Sequence, residues 1–300
     1  MTQELLSITN LRIEGRSSQG WTQIVKGVDL TLNKGEILGL IGESGAGKST
    51  LGLAAMGYFK PGCRIAAGSI RFDGQELVGA PASRLRNLHG RRIAYVAQSA
   101  AAAFNPAWRL IDQHCEGPVR HGVMGRREAE AEAVQLYREI RLPDPDRIGL
   151  RYPHQVSGGQ LQRAMTAMAM ACRPDLIIFD EPTTALDVTT QIEVLAAIRA
   201  IVRDHQTAAI YITHDLAVVA QMADRVKVLL RGEEVEEAPT RAMLSAPREA
   251  YTRSLWAVRE FRRAPPATPA PAEPLVDVQG LTVSYGPLKV LDRVSLTIPK

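Results

Sequence analysis

The sequence predicts an α/β protein whose parallel sheet is covered by helices on both faces. Continuous apolar runs occur at residues 37–41, 176–179 and 208–212, and such runs are typical of strands that are buried on both sides. Residues 5–13 and 28–32 instead alternate apolar and polar side chains, which is typical of half-buried strands. We therefore expect a parallel-sheet core that carries an antiparallel β-subdomain at its N-terminal end.

Helical patterns fill the intervals between the predicted strands. Residues 99–149 contain no strand-like run of comparable strength, and residues 128–140 place Val134, Tyr137 and Ile140 on one helical face. In residues 191–205 the apolar side chains recur at helical spacing: Ile192, Leu195, Ile198, Ile201 and Val202. The sequence therefore predicts a helical insertion subdomain over about residues 99–170.

Composition excludes several classes of protein. The chain of 300 residues is 45% apolar and 23% charged, as in ordinary globular proteins. Its net charge of +4 is small and scattered, so we predict no nucleic-acid partner. No apolar run approaches the ~18 residues of a membrane span, and the N-terminus lacks the pattern of a secretion signal. Its three cysteines form no metal-spaced pair and are expected to be reduced thiols.

Residues 42–49 read Gly-Glu-Ser-Gly-Ala-Gly-Lys-Ser and form what we call the phosphate loop. They fit the pattern G-x-x-x-x-G-K-[ST] between an apolar strand and a helix-compatible run, residues 49–56. Glycines let the backbone N–H groups approach phosphates at a helix N-terminus. The lysine would contact the β- and γ-phosphates, and the serine hydroxyl would hold Mg²⁺. The predicted nucleotide contacts here are Gly42, Ser44, Gly45, Gly47, Lys48, Ser49 and Thr50.

Two carboxylates, Asp180 and Glu181, end the apolar run at residues 176–179. Ligands of parallel sheets bind at the carboxyl ends of the strands, so both side chains should lie beside the phosphates. We expect Asp180 to reach Mg²⁺ through water, and Glu181 to polarise the attacking water as a general base. An acidic turn after a strand is the alternative for either carboxylate taken alone.

Four further segments carry a family resemblance. Val-Ser-Gly-Gly-Gln at residues 156–160 resembles the signature of ATP-binding-cassette (ABC) ATPases, and residues 180–187 resemble their Walker B and D-loop segments. Gln98 matches the Q-loop glutamine, and His214 the switch histidine. The resemblance implies a RecA-like P-loop NTPase core that uses ATP and Mg²⁺. It also implies that Gln98 contacts Mg²⁺ and links it to the helical insertion, and that His214 binds the γ-phosphate.

The signature segment implies a partner. Ser157, Gly158 and Gly159 open a predicted helix that runs through Met170, so their N–H groups and the serine hydroxyl can bind a phosphate. In the resembled family that phosphate belongs to ATP on an opposing cassette, and Gln160 completes the segment. The resemblance therefore implies a second ABC cassette, from a homodimer or a fused second half.

Other motifs resemble the oligopeptide/dipeptide/nickel importer branch. They are the phosphate loop itself, Phe104-Asn-Pro106, Tyr152-Pro-His154, the stretch ending at Gln191, and the tail from Pro247 through Tyr251 to Leu255. The resemblance implies a peripheral ATPase at the cytoplasmic face of the membrane, with transmembrane permease subunits and, indirectly, a solute-binding protein. The alternatives are a soluble tandem cassette acting on the ribosome or DNA, and a catalytically inactive regulatory cassette.

The C-terminal part repeats the N-terminal part. A proline- and alanine-rich linker is predicted at residues 263–274, after an ABC domain of residues 1–262. Residues 275–283 then repeat the pattern of residues 5–13, and residues 290–300 that of residues 24–34. We interpret residues 275–300 as the truncated start of a second ABC domain; a pair of strands that caps the first domain is the alternative.

One position departs from the family pattern. Family cassettes stack adenine on an aromatic residue at the end of the first sheet, and the repeat has Tyr285 there, but the first copy has Gly15. Trp21 in the following loop is a candidate substitute; an exposed tryptophan without such a role is equally compatible with the sequence.

Overall fold

The computed structural model describes residues 3–18, 20–183, 188–257 and 274–299. Most of the D-loop match, residues 184–187, lies outside the described residues, as do residues 258–273 with the predicted domain boundary and nearly all of the linker. The chain divides into two compact units, Met1–Trp256 and Ala257–Lys300, and each is described by itself.

The first unit is built on a six-stranded sheet. The strand order is β10 (Glu233–Pro239), β9 (Arg225–Leu230), β3 (Ile37–Ile41), β8 (Ala208–Ile212), β7 (Leu176–Asp180) and β6 (Ile93–Val96). The five strands from β9 to β6 are parallel, and β10 pairs antiparallel with β9 at the edge. Every residue of β3, β7 and β8 is buried, which confirms the interpretation of the continuous apolar runs.

A smaller antiparallel sheet packs against this core through the N-terminal strands. Its order is β2 (Gly20–Asn33), β1 (Glu4–Ser17), β4 (Cys63–Phe72) and β5 (Gln75–Glu76). The alternation predicted from sequence is present at Ile8, Leu30 and Leu32, which are buried between polar neighbours, whereas Leu5 and Leu6 are both buried. These side chains share one apolar cluster with Leu40 of β3, so the small sheet is fixed against the strand that leads into the phosphate loop.

Helices cover the core and form an insertion. Residues 97–175, all of them described, hold helices only: α3 (Ala100–Ala103), α4 (Leu110–Arg120), α5 (Arg126–Glu139), α6 (Pro145–Ile148), a single 3₁₀ turn (Pro153–Gln155) and α7 (Gly158–Met170). The others are α1 (Lys48–Ala55), α2 (Ala82–Leu88), α8 (Val188–Asp204), α9 (Leu216–Met222), α10 (Thr240–Ser245) and α11 (Ala250–Ala257). No helix in the described part of the chain is long and apolar enough to cross a membrane.

The predicted helix faces are largely, but not wholly, correct. Tyr137 and Ile140 are buried, whereas Val134 is only half-buried. On α8 the buried stripe is centred on Ile198, and the prediction for Ile192 is wrong because this side chain is 52% exposed. At 100° per residue, Ile192 points about 120° away from Ile198 and so leaves the stripe.

The second unit is a hairpin of β11 (Pro274–Tyr285) and β12 (Leu288–Pro299). Its pairing reproduces that of β1 and β2: Val276↔Ile298, Val278↔Leu296 and Leu281↔Val294 correspond to Leu6↔Leu32, Ile8↔Leu30 and Leu11↔Val28. Both hairpins break register at the same place, where Asn10 (φ 44°) and Gly280 (φ 62°) adopt left-handed conformations. Most of the apolar positions that β1 and β2 bury are exposed at the corresponding places in this hairpin, including Leu296 at 55%, whereas Val278 is half-buried.

Candidate nucleotide-binding and hydrolysis site

The phosphate loop joins β3 to α1 and lines a pocket of about 250 Å³. Helix α1 begins at Lys48, because Gly47 precedes it in a left-handed conformation (φ 93°) that favours glycine. The pocket is lined by Ile24, Ser44, Gly45, Ala46, Gly47, Lys48, Ser49, Thr50, Gln98, Asp180 and Glu181. Every predicted contact of the loop except Gly42 therefore faces one cavity, together with three of the distant predicted residues.

Main chain packs directly behind the phosphate loop. A Cβ atom at Gly42 would lie 2.1 Å from the carbonyl oxygen of Leu229, and one at Gly232 would lie 2.2 Å from that of Ile24. Gly232 also donates a hydrogen bond of 3.2 Å to the carbonyl of Ala46 in the loop. Only glycine fits at these two positions, so the loop is supported by β2 and by the turn between β9 and β10.

The ammonium group of Lys48 is hydrogen-bonded to the main chain of the phosphate loop. Its Nζ donates to the carbonyl oxygens of Gly42 (2.7 Å) and Glu43 (2.9 Å). Burial lowers the pKa of Lys48, while the charges of Glu181 and Asp180 act in the opposite direction. A cation is thus held among carbonyls and two carboxylates, beside N–H groups that can bind anions.

Asp180, the last residue of β7, connects the loop to β6. One carboxylate oxygen accepts a hydrogen bond from Ser49 Oγ (3.0 Å), and the other accepts from the Tyr95 hydroxyl (2.7 Å). Burial first, and then the bond to Asp180, raise the pKa of Tyr95, so the phenol remains a donor. The sequence analysis did not identify Tyr95, because no local pattern marks a tyrosine within a strand as a partner of Asp180.

Glu181 contacts both of the other residues that were predicted to take part in hydrolysis. Its Oε2 accepts from Gln98 Nε2 at 3.0 Å, and its Oε1 lies 3.0 Å from His214 Nδ1. These side chains follow β6, β7 and β8, which are neighbours in the sheet. Glu181 itself is left-handed (φ 49°), and its N–H is fixed by the carbonyl of Ile212 at 2.9 Å. A strained non-glycine residue at this point is common in functional sites.

The signature residues occupy a different location. Ser157 caps α7 by accepting from the N–H of Gln160 (3.3 Å), and the Gln160 side chain accepts in return from the Ser157 N–H (3.0 Å). At the start of α7, Gly158 is exposed and Gly159 is half-buried. None of these four residues is among those that line the pocket of their own phosphate loop.

A large aliphatic side chain, that of Ile24, forms part of the pocket wall. Its Cδ1 lies 2.5 Å from where a Cβ of Gly15 would be. Trp21 is 43% exposed, and the guanidinium of Arg64 covers its ring at 4.1 Å. Arg64 is held in turn by Glu14 at 2.8 Å.

Comparison with known proteins agrees with this geometry. The profile of the family described as "ABC transporter" matches residues 25–184, which include the phosphate loop, the signature and both carboxylates. The chain belongs to the ABC transporter family. It is therefore an ATP-binding cassette, and its enzymatic activity is that of an ATPase.

Curated relatives of the chain include ATP-binding proteins of transport and import systems. The chain is 38% identical over 254 residues to the oligopeptide transport ATP-binding protein OppD of Lactococcus lactis subsp. cremoris, covering 85% of this chain and 75% of that protein. It is 39% identical over 280 residues to the glutathione import ATP-binding protein GsiA of Pectobacterium atrosepticum, covering 91% of this chain but 45% of that protein.

A solved cassette has the same fold. The ATP-binding cassette MJ0796, in a dimeric post-hydrolysis state bound to ADP and phosphate, superposes with a TM-score of 0.70 at 24% identity. The match covers 79% of this chain and 99% of the other. The predicted P-loop NTPase core with its antiparallel and helical additions is thereby confirmed.

Proposed function

We propose that this cassette is the ATP-hydrolysing subunit of a bacterial importer for peptides or related small solutes, such as nickel, opines or glutathione. The support is the agreement between the branch motifs and the printed names of relatives in oligopeptide transport and glutathione import. In this proposal the chain lies at the cytoplasmic face of the membrane, bound to permease subunits that receive solute from a binding protein. Those names do not favour the alternative of a soluble cassette on the ribosome or DNA.

In the proposed complex before hydrolysis, the phosphate loop and its neighbours bind ATP and Mg²⁺. The N–H groups of residues 45–49 would bind the triphosphate, and Lys48 would neutralise its β- and γ-phosphates. Ser49 and Asp180, whose oxygens lie 3.0 Å apart, would hold Mg²⁺ together with Gln98. Hydroxyl, carboxylate and amide oxygens fit this hard cation, which neutralises charge on the phosphates when bound.

Glu181 is proposed as the base that orients and polarises the attacking water. The observation that carries this proposal is the contact of one carboxylate with both Gln98 and His214, at 3.0 Å each. A γ-phosphate in the pocket would compete for His214 and Gln98, which would free one carboxylate oxygen for water. His214 could then bind the γ-phosphate while Glu181 accepts the proton.

Replacing Glu181 with Gln tests this assignment. The variant E181Q keeps the side-chain volume and the contact with His214, but it removes the base. ATP hydrolysis should fall on the order of 10²-fold or more, while ATP binding persists and a two-cassette assembly accumulates on size exclusion. The matched control is E128Q at an exposed position of α5. Near-normal turnover in E181Q would remove Glu181 from the role of base.

The transport assignment has a separate test. The chain should co-purify with the products of neighbouring permease genes. Proteoliposomes that contain this complex and its binding protein should transport labelled peptide only when ATP is supplied on the side of the membrane that carries the cassette. Co-sedimentation with ribosomes, in the absence of any permease, would instead support the alternative.

We further propose that residues 275–300 begin a second cassette. The support is the shared pairing register of the two hairpins and their shared left-handed break. In the first copy the phosphate loop begins at Gly42, eight residues after Lys34. Sequencing the natural coding region should therefore reveal a second G-x-x-x-x-G-K-[ST] about eight residues after Lys300, as expected for a repeat. A natural stop codon at that point would overturn the proposal.

A further inference from the structure

The helix α11 contacts the phosphate loop, although the two are far apart in sequence. The N–H of Glu43 donates a hydrogen bond of 3.2 Å to the hydroxyl oxygen of Tyr251, across 208 residues. Tyr251 is half-buried and packs against the main apolar cluster together with Leu255 and Trp256. The tail of the cassette is therefore part of the surroundings of the nucleotide site.

A buried carboxylate fixes the start of α11. Glu236 on β10 is 8% exposed, and its two oxygens accept from the N–H groups of Arg248 (2.9 Å) and Glu249 (3.1 Å). Burial alone would raise the pKa of Glu236, but these two backbone hydrogen bonds outweigh it and lower the pKa. The two residues that lead into the helix are thus anchored to the central sheet.

The peptide that Tyr251 contacts also holds the lysine of the loop. The carbonyl oxygens of Gly42 and Glu43 accept from Lys48 Nζ at 2.7 Å and 2.9 Å. The Glu43 carbonyl also accepts from the N–H of Ala46 at 3.2 Å. Tyr251 binds the N–H of Glu43, so this turn is fixed from outside by the tail and from inside by Lys48.

We propose that α11 is a strap for the phosphate loop, and that Tyr251 is a positioning residue that acts on Lys48 through Glu43. Because the turn is already held in place, less free energy is lost in ordering the loop when ATP binds. Tyr251 is not among the residues that line the pocket. Its contribution should therefore appear in nucleotide affinity, with turnover at saturating ATP unchanged.

The variant Y251F tests the strap, because it removes only the hydroxyl. We expect the Kd and KM for ATP to rise about threefold to tenfold, as for the loss of one net hydrogen bond. The kcat at saturating ATP should stay within about twofold, and the melting temperature without nucleotide should not change. The matched control is Y58F, since Tyr58 is 45% exposed and should leave all three quantities unchanged.

The anchor supplies a second variant. E236Q removes the charge that holds the start of α11, and it should raise the Kd for ATP in the same direction as Y251F. In the double variant the two effects should be less than additive, because both act through one helix. An additive result, or an unchanged ATP affinity in Y251F, would overturn the proposal.

This inference rests on the proposed nucleotide site, and its failure can be distinguished from a failure of that site. K48A should abolish ATP binding if the site is correct. Loss of binding in K48A with no effect in Y251F would refute the strap alone, whereas normal binding in K48A would refute the site.

Discussion

The hydroxyl of Tyr95 donates a hydrogen bond of 2.7 Å to the carboxylate of Asp180. The strands that carry them are adjacent and parallel, with Tyr95 paired to Ile178. The other oxygen of Asp180 accepts from Ser49. Tyr95 therefore fixes the orientation of the carboxylate that is proposed to hold Mg²⁺.

Replacing Tyr95 with Phe should weaken the use of Mg²⁺. The variant Y95F leaves one oxygen of a buried carboxylate without its donor, so the carboxylate can turn away from Ser49. We expect the Mg²⁺ concentration for half-maximal ATPase activity to rise about tenfold to 100-fold, as for the loss of a hydrogen bond to a charged group. A titration of Mg²⁺ at saturating ATP checks this, with Y58F as the control; an unchanged midpoint would show that Tyr95 only packs.

The elements that could be predicted from sequence are those with local signals. The strands β3 and β8 have the predicted bounds, Ile37–Ile41 and Ala208–Ile212, because strands covered on both faces must be apolar throughout. The phosphate loop is equally local, since its glycines, lysine and serine are consecutive. Glu181 was predicted from its place at the end of an apolar strand, whereas Gln98 and His214 were found through a family resemblance. Three neighbouring strands bring these side chains together.

Two tyrosines could not have been predicted in this way. Tyr95 reaches Asp180 across 85 residues, and Tyr251 reaches Glu43 across 208 residues. Tyr251 lies in the tail motif and Tyr95 in an apolar strand, but neither pattern indicates that the hydroxyl supports the nucleotide site. Such contacts depend on the sheet order and on where α11 is anchored, which emerge only from the whole fold.

The location of the signature residues predicts how the ATPase rate depends on protein concentration. Ser157 and Gly159 are not among the residues that line the pocket of their own phosphate loop, so hydrolysis should require a second cassette. Below the dimerisation constant, the ATPase rate of the 300-residue chain should rise with roughly the square of protein concentration.

A dilution series with light scattering at each point measures this dependence. The variant S157A should remain able to bind ATP through its own loop, yet lower the rate of the assembly. Constant specific activity from a chain that remains monomeric throughout would contradict the shared site.

A buried histidine predicts how stability changes with pH. His114 on α4 is 1% exposed, and neither ring nitrogen has a hydrogen-bond partner among the described residues. Burial lowers its pKa from 6.5 to about 4. The unfolded chain thus takes up a proton near pH 6.5 and the folded chain only near pH 4, so the stabilisation present above pH 6.5 is lost as the pH falls towards 4.

The variant H114L removes this titration. The free energy of unfolding of the wild type should fall by up to about 3 kcal/mol between pH 6.5 and 4 through this residue, and the profile of H114L should be flatter by that amount. Denaturant titrations at several pH values measure it. The control is H205L, at an exposed position, which should follow the wild type; a parallel profile for H114L would contradict the prediction.

Trp21 remains the candidate for contact with adenine. Its ring is covered on one face by Arg64, and stacking would use the other face. Trp21 fluorescence should change when ATP is added, and W21A should weaken ATP binding by roughly 1–3 kcal/mol, by analogy with stacked bases. Unchanged affinity in W21A would leave the aliphatic surface of Ile24 as the neighbour of the base.

The glycine contacts behind the phosphate loop have a consequence for synthesis of the chain. Residues 42–49 are among the first to leave the ribosome, yet the main chain that supports them includes Leu229 and Gly232. Domains fold as units during synthesis, and contacts between distant residues form slowly. A nascent chain that has not yet exposed Gly232 should therefore carry the complete loop sequence without its binding shape, and ATP cannot assist the early stages of its folding.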